Sequence, residues 1–470
     1  MHRAMLLRNL TLTLLAATSL TACTLAPPHQ RPALPVAQTW PTAQPAGTVS
    51  AADLGWREVF EAPRLQGVVE LALVQNRDLR VALLNIERAR AQYGVQRAAL
   101  LPGINAGLSG SRARTPASVS QSGSAIETEQ YSASVGFTGY ELDLFGRVRS
   151  LNQAALQNWL AVRENSRAAQ ISLISEVAGT WLTLAADEDL LALARDTLAA
   201  RDQSLKLTQS RVDAGAASTL DLRQAQTLAE QARADVAAFV AQVAQDRNAL
   251  RLVVGAEVPA DLMPAGGLIT AQIMPDLPAG VVSDVLTRRP DVLAAEHQLA
   301  AASANIGAAR AAFFPRIALT GSAGAASGEL GDLFKSGSGA WSFAPSISLP
   351  IFAGGANKAG LDGARASQGI AVATYEKTVQ TAFREVADAL AVRDTVADRV
   401  GAQERLVAAA ADSQRLARQR NEAGLDSNLT LLDAQRTLYG AQQALIAARL
   451  VRAINLVTLY KVLGGGSPAT

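Results

Sequence analysis

The 470-residue chain holds one cysteine, three histidines and few aromatics, 4% in all. One thiol closes no intramolecular disulfide and furnishes no all-cysteine zinc site. Three histidines leave little for a histidine-based metal centre. Charge of one sign is missing too: 43 Lys and Arg stand against 41 Asp and Glu, a formal net charge of +2. A nucleic-acid binder shows a basic excess or stripe instead. No uninterrupted apolar run of about 20 residues occurs, so no spanning helix is expected, although the mean hydropathy of +0.13 is high. The G-x-S-x-G, H-E-x-x-H and P-loop patterns are absent. His297 sits on an Ala-rich helix and reads as a core or surface residue, and His29 lies in a Pro-rich tail. Acids are scattered as on solvated helix faces. No enzyme, no cofactor and no metal site is therefore expected. What is plentiful is Ala, Leu and Val, which carry the 49% hydrophobic fraction. These are residues of long helix interfaces, in a chain long enough for two or three ordinary domains.

The start of the chain speaks to compartment. Arg3 and Arg8 precede a short apolar stretch, Leu10 to Leu20, and then Leu20-Thr21-Ala22-Cys23. This order resembles a bacterial lipobox, against the alternative of an ordinary signal peptide with an accidental cysteine. The resemblance implies cleavage before Cys23, with lipid on its thiol and its new amino group. Thr24 follows rather than the Asp of an inner-membrane retention signal, which favours the outer membrane. Cleavage would remove His2 and two arginines and no acid, leaving 41 basic residues against 41 acidic ones.

Two ungapped internal alignments follow. Asp78 to Ser109 matches Asp291 to Ser322 at an offset of 213, with Gly94 on Gly307, Arg97 on Arg310 and Pro102 on Pro315. Arg211 to Gly255 matches Arg420 to Gly464 at an offset of 209, with Ala214-Gly215 on Ala423-Gly424 and Gln226 on Gln435. The chain is thus read as one plan written twice. The expected boundaries are a signal peptide 1–22, an anchored extension 23–63, a first repeat 64–255, a linker 256–283 rich in proline, a second repeat 284–464 and a tail 465–470. Each repeat predicts a helix ending at a proline, two strands around a Ser/Gly-rich loop, a very long helix, a turn at Ala-Gly and another long helix.

The strands alternate. Tyr131, Ala133, Val135 and Phe137 are separated by small polar residues, and Trp341, Phe343, Ile347 and Leu349 by Ser342, Ser346 and Ser348. Period-2 patterning with one small polar face fits a soluble sheet on a core, or a membrane barrel that is apolar outward. Four strands cannot close a barrel, and an open edge is not viable in lipid, so the membrane reading demands oligomerisation. The long helices carry heptads: Val177, Leu184, Leu191, Leu198, Leu205 and Val212, repeated by Val379, Val386, Val400 and Val407 with Arg393 interrupting. From Arg147 to Val212 no proline occurs, enough for a rod of about 100 Å.

With these features the sequence resembles the outer membrane factor family, the TolC-like exit ducts, and within it the lipoprotein branch serving resistance–nodulation–division pumps. The specific stretches are Arg288-Arg289-Pro290-Asp291-Val292 leading to Ala312-Phe313-Phe314-Pro315-Arg316-Ile317, then Tyr140-Glu141-Leu142-Asp143-Leu144-Phe145-Gly146-Arg147, and Leu429-Thr430-Leu431-Leu432-Asp433-Ala434-Gln435-Arg436. The resemblance implies a mixed, mainly α fold: a long-helix α-barrel continuous with a trimeric transmembrane β-barrel of twelve strands. It implies a passive efflux duct for drugs and toxic compounds, linked to antibiotic resistance. The partners implied are a periplasmic adaptor, an inner-membrane resistance–nodulation–division transporter, two further copies of the chain and outer-membrane lipid. Leu429, Asp433 and Arg436 match family positions that close the periplasmic end, and they fall on one helical face. From the residues alone, Asp433 and Arg436 read equally as a surface i,i+3 pair. In the first repeat Gln224 and Thr227 stand at their places. The tips Ala214-Gly215 and Ala423-Gly424 resemble the hairpin ends that meet the adaptor. Rival readings are a periplasmic coiled-coil lipoprotein and the exit duct of a type I secretion system.

Overall fold

A computed structural model describes residues 24–28, 30–41, 54–268 and 282–465. Cys23, the signal peptide, His2, His29, residues 42–53, linker residues 269–281 and residues 466–470 lie outside them. The elements are α1 (Trp56–Val59), α2 (Pro63–Gln75), α3 (Arg77–Ala98), β1 (Ile104–Thr115), β2 (Ile126–Leu142), α4 (Arg147–Asp213), α5 (Thr219–Val254), α6 (Val282–Arg288), α7 (Pro290–Ala311), β3 (Arg316–Ser327), β4 (Gly339–Ser348), α8 (Ala356–Glu422) and α9 (Asn428–Val462). The two longest helices, α4 and α8, each have 67 residues. They contain no proline and no glycine run to break them. The chain divides into two compact units, each drawing on both halves of the sequence. One comprises residues 1–33, 85–163 and 294–375, and the other residues 34–84, 164–293 and 376–470.

The first unit holds one antiparallel sheet in the order β1-β2-β3-β4, so the hairpins of the two halves join through β2 and β3. Register fixes its faces. Ala106, Val135, Ala323 and Trp341 line up across it, as do Ile104, Phe137, Gly321 and Phe343. The opposite face carries hydroxyls, with Ser109 bonded to Ser132 at 2.8 Å and Ser322 to Ser342 at 2.8 Å. The alternation read from Tyr131 to Phe137 stops before Tyr140, where the register shifts at a bulge. Gly139 adopts a positive φ of 65° there. The extra residue flips the parity and returns Tyr140 and Leu142 to the apolar face opposite Leu319 and Ile317. Gly324 is required by closeness: a Cβ would lie 2.0 Å from the Ala133 carbonyl oxygen.

Two of the specific sequence stretches meet beside the sheet. Glu141 takes both Arg147 and Arg316, each at 2.7 Å, and Phe145 stacks on Phe314 at 4.9 Å. Asp143 accepts the Val148 and Arg149 amides, starting α4 at its orphan N–H groups. The helices before the strands end at Ala98 and Ala311, ahead of Pro102 and Pro315, where reversed turns intervene.

Described residues of the N-terminal extension are packed in each unit. In the first unit, Arg31 forks onto Glu296 at 3.0 and 2.6 Å, Arg310 donates to the Leu25 carbonyl at 2.9 Å, and Ala26 fills the notch at Gly307. In the second unit, Trp40 stacks on Phe383 at 5.2 Å and Phe60 packs edge-on against Tyr460. The linker is structured at its start, with a short 3₁₀ turn at Ala260–Leu262, and its last residues enter α6. The Leu262 carbonyl accepts the Trp181 indole at 3.0 Å. The core of the second unit follows the heptads: Val177, Leu184, Val379 and Val386 have no exposed area.

Candidate functional site

The hairpin tips are built alike. After α4 the Gly215 amide donates to Val212 and the Ala216 amide to Arg211; after α8 the Gly424 amide donates to Asn421 and the Leu425 amide to Arg420. These are paired Schellman closures, which need a left-handed residue, and the glycines supply φ values of 71° and 72°. Both tips, with Ala214 and Ala423 beside the glycines, are exposed. The helices leaving them start differently. Ser218 caps α5 in a reciprocal box with Asp221. The second tip is closed by charge, with Arg420 forked onto Asp426 at 2.6 and 3.0 Å and Asn421 bonded to the Asp426 carbonyl. The Arg420 guanidinium holds the Asp426 carboxyl below its ordinary range. At the corresponding place the first tip has Ala217, and Arg211 makes no ion pair among the described residues.

Just beyond the second tip, α9 presents the expected face. Leu429 is 58% exposed, and Asp433 and Arg436 form an ion pair with each other. Leu431 and Leu432 turn inward and are buried. Leu429, Leu432, Asp433 and Arg436 line a cleft of about 210 Å³ with Gln224, Thr227 and Leu228 of α5. The cleft therefore sets the charged pair of the second half against the two neutral residues that occupy its place in the first.

Two turns further, a polar junction ties three helices, and sequence reasoning did not find it. Buried Arg201 of α4 donates to the Leu228 carbonyl at 2.9 Å and lies 5.1 Å from the Tyr439 ring centre. The Tyr439 hydroxyl donates to Asp235 at 3.1 Å. Burial, reinforced by the Asp235 charge, pushes Tyr439 up to about 12, and burial lowers Arg201. The signal available in sequence was an arginine at an inward position of a heptad helix. His297, as expected of a packing residue, bonds Gln157 at 2.7 Å.

The family model described as "Outer membrane efflux protein" matches residues 68–256 and 281–465. The chain belongs to that family. An antibiotic efflux pump outer membrane protein of Pseudomonas putida, ArpC, is 49% identical over 449 residues, covering 94% of this chain and 93% of its own. A toluene efflux pump outer membrane protein of the same species, TtgC, matches with the same identity and coverage. Among solved structures, the open state of the MtrE outer membrane channel of Neisseria gonorrhoeae has 43% identity and a TM-score of 0.87, covering 94% of this chain and 98% of that one. The chain is an outer-membrane efflux channel component, and its fold is the expected one, mainly helical with a four-stranded sheet. Among the described residues no helix is long and apolar enough to cross a membrane. The two-faced sheet is the element suited to lipid.

Proposed function

We propose that three copies of this chain form a passive duct across the outer membrane for small molecules, with a closable periplasmic end. The observation that carries this reading is the sheet: four strands, apolar on one face and hydroxylated on the other, with β1 and β4 unpaired at its edges. Lipid tolerates no open edge. Pairing β4 of one copy with β1 of the next removes both edges, and three copies give twelve strands. The faces then assign themselves, Val135 and Trp341 toward lipid and Ser132 and Ser342 toward the lumen.

In the same reading Leu429, Asp433 and Arg436 ring the constriction, and the tips around Gly215 and Gly424 receive a periplasmic adaptor linked to an inner-membrane resistance–nodulation–division transporter. Cys23 carries the lipid. Residues 64–255 and 284–464 are the repeats. The chain performs no catalysis: energy and most substrate choice belong to the inner-membrane partner. Relatives equally identical to this chain are named for antibiotic and for toluene, which suits a duct that selects little.

Insertion into planar bilayers tests the duct. Discrete conductance steps and an oligomer that dissociates only on heating are expected; a water-soluble monomer without conductance would overturn it. For the anchor, palmitate labelling should be lost in Cys23→Ser, and equal labelling of wild type and variant contradicts lipidation there.

A further inference from the structure

Within the first hairpin, a half-buried acid on α4 and a buried one on α5 sit among apolar heptad residues. Asp187 lies between Leu184 and Leu191 along α4, and Asp246 between Val243 and Leu250 along α5, all four apolar neighbours being buried. Asp246 is itself only 8% exposed. Gln242 donates to its Oδ1 at 2.9 Å, whereas Oδ2 is buried and receives no hydrogen bond from any donor in the described structure. Its neighbour is the Asp187 carboxyl, which can donate only when protonated. An unpaired buried carboxylate oxygen is costly, and two charged carboxylates at one seam are costlier.

We propose that a proton held on the Asp187 carboxyl and directed at the unpartnered Oδ2 of Asp246 pins α4 to α5 in acid and is surrendered as the medium turns alkaline, making this seam a pH-sensitive joint. Burial first, and then Asp246, pushes the Asp187 carboxyl up to about 7. Among the described residues no cation offsets the Asp187 charge. On α4, Glu188 is held by Arg247 of α5 at 2.8 Å, Asp189 accepts the Leu268 amide, and Arg195 is exposed. On α5, Arg251 pairs with Glu257 of the linker at 2.9 Å. From α2, Glu70 is taken by Arg57, and from α9, Arg449 by Glu404. Among these groups only Asp246 acts on the charge of Asp187.

The second half supplies an internal control. At the offset of 209, Asp187 falls on Val396 and Asp246 on Asn455, each 6% exposed. At these two places the second half holds no ionisable group, so the backbone does not require the acids.

The sign follows from linkage. The folded seam holds more protons than the unfolded chain between the ordinary carboxylate range and about 7. Its stability is therefore highest at the acid end and falls as pH rises through that window.

The test is hydrogen–deuterium exchange on the full-length assembled protein in detergent, corrected for the intrinsic amide rate. Peptides covering 181–191 and 243–254 should lose protection by about tenfold to a hundredfold between about pH 5 and about pH 8, since about two pH units of the window lie there and each is worth up to tenfold. Peptides covering 390–400 and 452–463 should stay level. Asp246→Asn and Asp187→Val, each copying the second half, should level the first-half response, and either variant alone suffices. A level response in wild type, a fall persisting in a variant, or an equal fall in both halves would overturn the proposal.

Discussion

At matching places in the two halves one bond is made by different chemistry. Asn76, between α2 and α3, donates to the Val253 carbonyl at 2.6 Å. Its counterpart Arg289 donates to the Val462 carbonyl, the counterpart of Val253, at 2.7 Å. Arg289 is buried and also takes Asp291 and Glu385, each at 2.7 Å. The first half keeps those acids as Asp78 and Glu176 but has Asn76 at the place of Arg289, and the three line an open cavity. The same divergence recurs at Asp433 and Arg436 against Gln224 and Thr227, at Asp426 against Ala217, and, reversed, at Asp187 and Asp246 against Val396 and Asn455. Glycines at the turns, prolines after the helices and apolar heptads are duplicated, and they set the backbone. Some charges are duplicated too, as Arg97 and Arg310 are, but those at the places just named are not, and they distinguish the halves.

The strands are where the halves should behave alike. Val135→Arg in the first and Ile347→Arg in the second each put a charge on the apolar face, at about 2–4 kcal/mol per chain near a bilayer midplane. Ser134→Arg and Ser346→Arg, on the hydroxyl face, should assemble more readily. Folding into lipid vesicles, read by heat-modifiable mobility, checks this; equal assembly of both classes breaks the assignment of faces.

The helix junctions should then separate the halves. Arg289→Ala leaves two carboxylates uncompensated at a buried site, about 3 kcal/mol, the low end for a broken buried pair because its partners are partly exposed. Asn76→Ala leaves only a carbonyl and an amide unpaired, about 1–2 kcal/mol. Thermal unfolding of the two variants should rank them in that order, and the reverse ranking would mean that Arg289 is not the stronger clamp.

Much of this was legible before any coordinates. Helix lengths followed from missing prolines, the tips from Ala-Gly pairs, and the sheet faces from alternation at Val135 and Ile347. What was not legible depends on which residues meet across the fold. The bulge at Phe137–Tyr140 is set by pairing with β3, and the seat of Ala26 by the missing side chain of Gly307. Arg201, Asp235 and Tyr439 lie on three helices, and Asp187 and Asp246 on two. No spacing along one helix announces such meetings. For the α9 face, sequence placed Leu429, Asp433 and Arg436 together, while their cleft with Gln224 and Thr227 emerged only from the packing of α5 on α9.

The measurement that bears most directly on the division of charge at the duct mouth is single-channel conductance with reversal potential for Asp433→Ala, Leu429→Ala and Gln224→Ala. If Asp433 rings the constriction as proposed, its carboxylates favour cations and Arg436 offsets their self-repulsion. Asp433→Ala should therefore loosen closure and lower cation preference, Leu429→Ala should raise conductance without changing selectivity, and Gln224→Ala should change neither. If Asp433→Ala leaves both quantities at wild-type values, or Gln224→Ala shifts them as far, the constriction does not lie on the charged face of the second half.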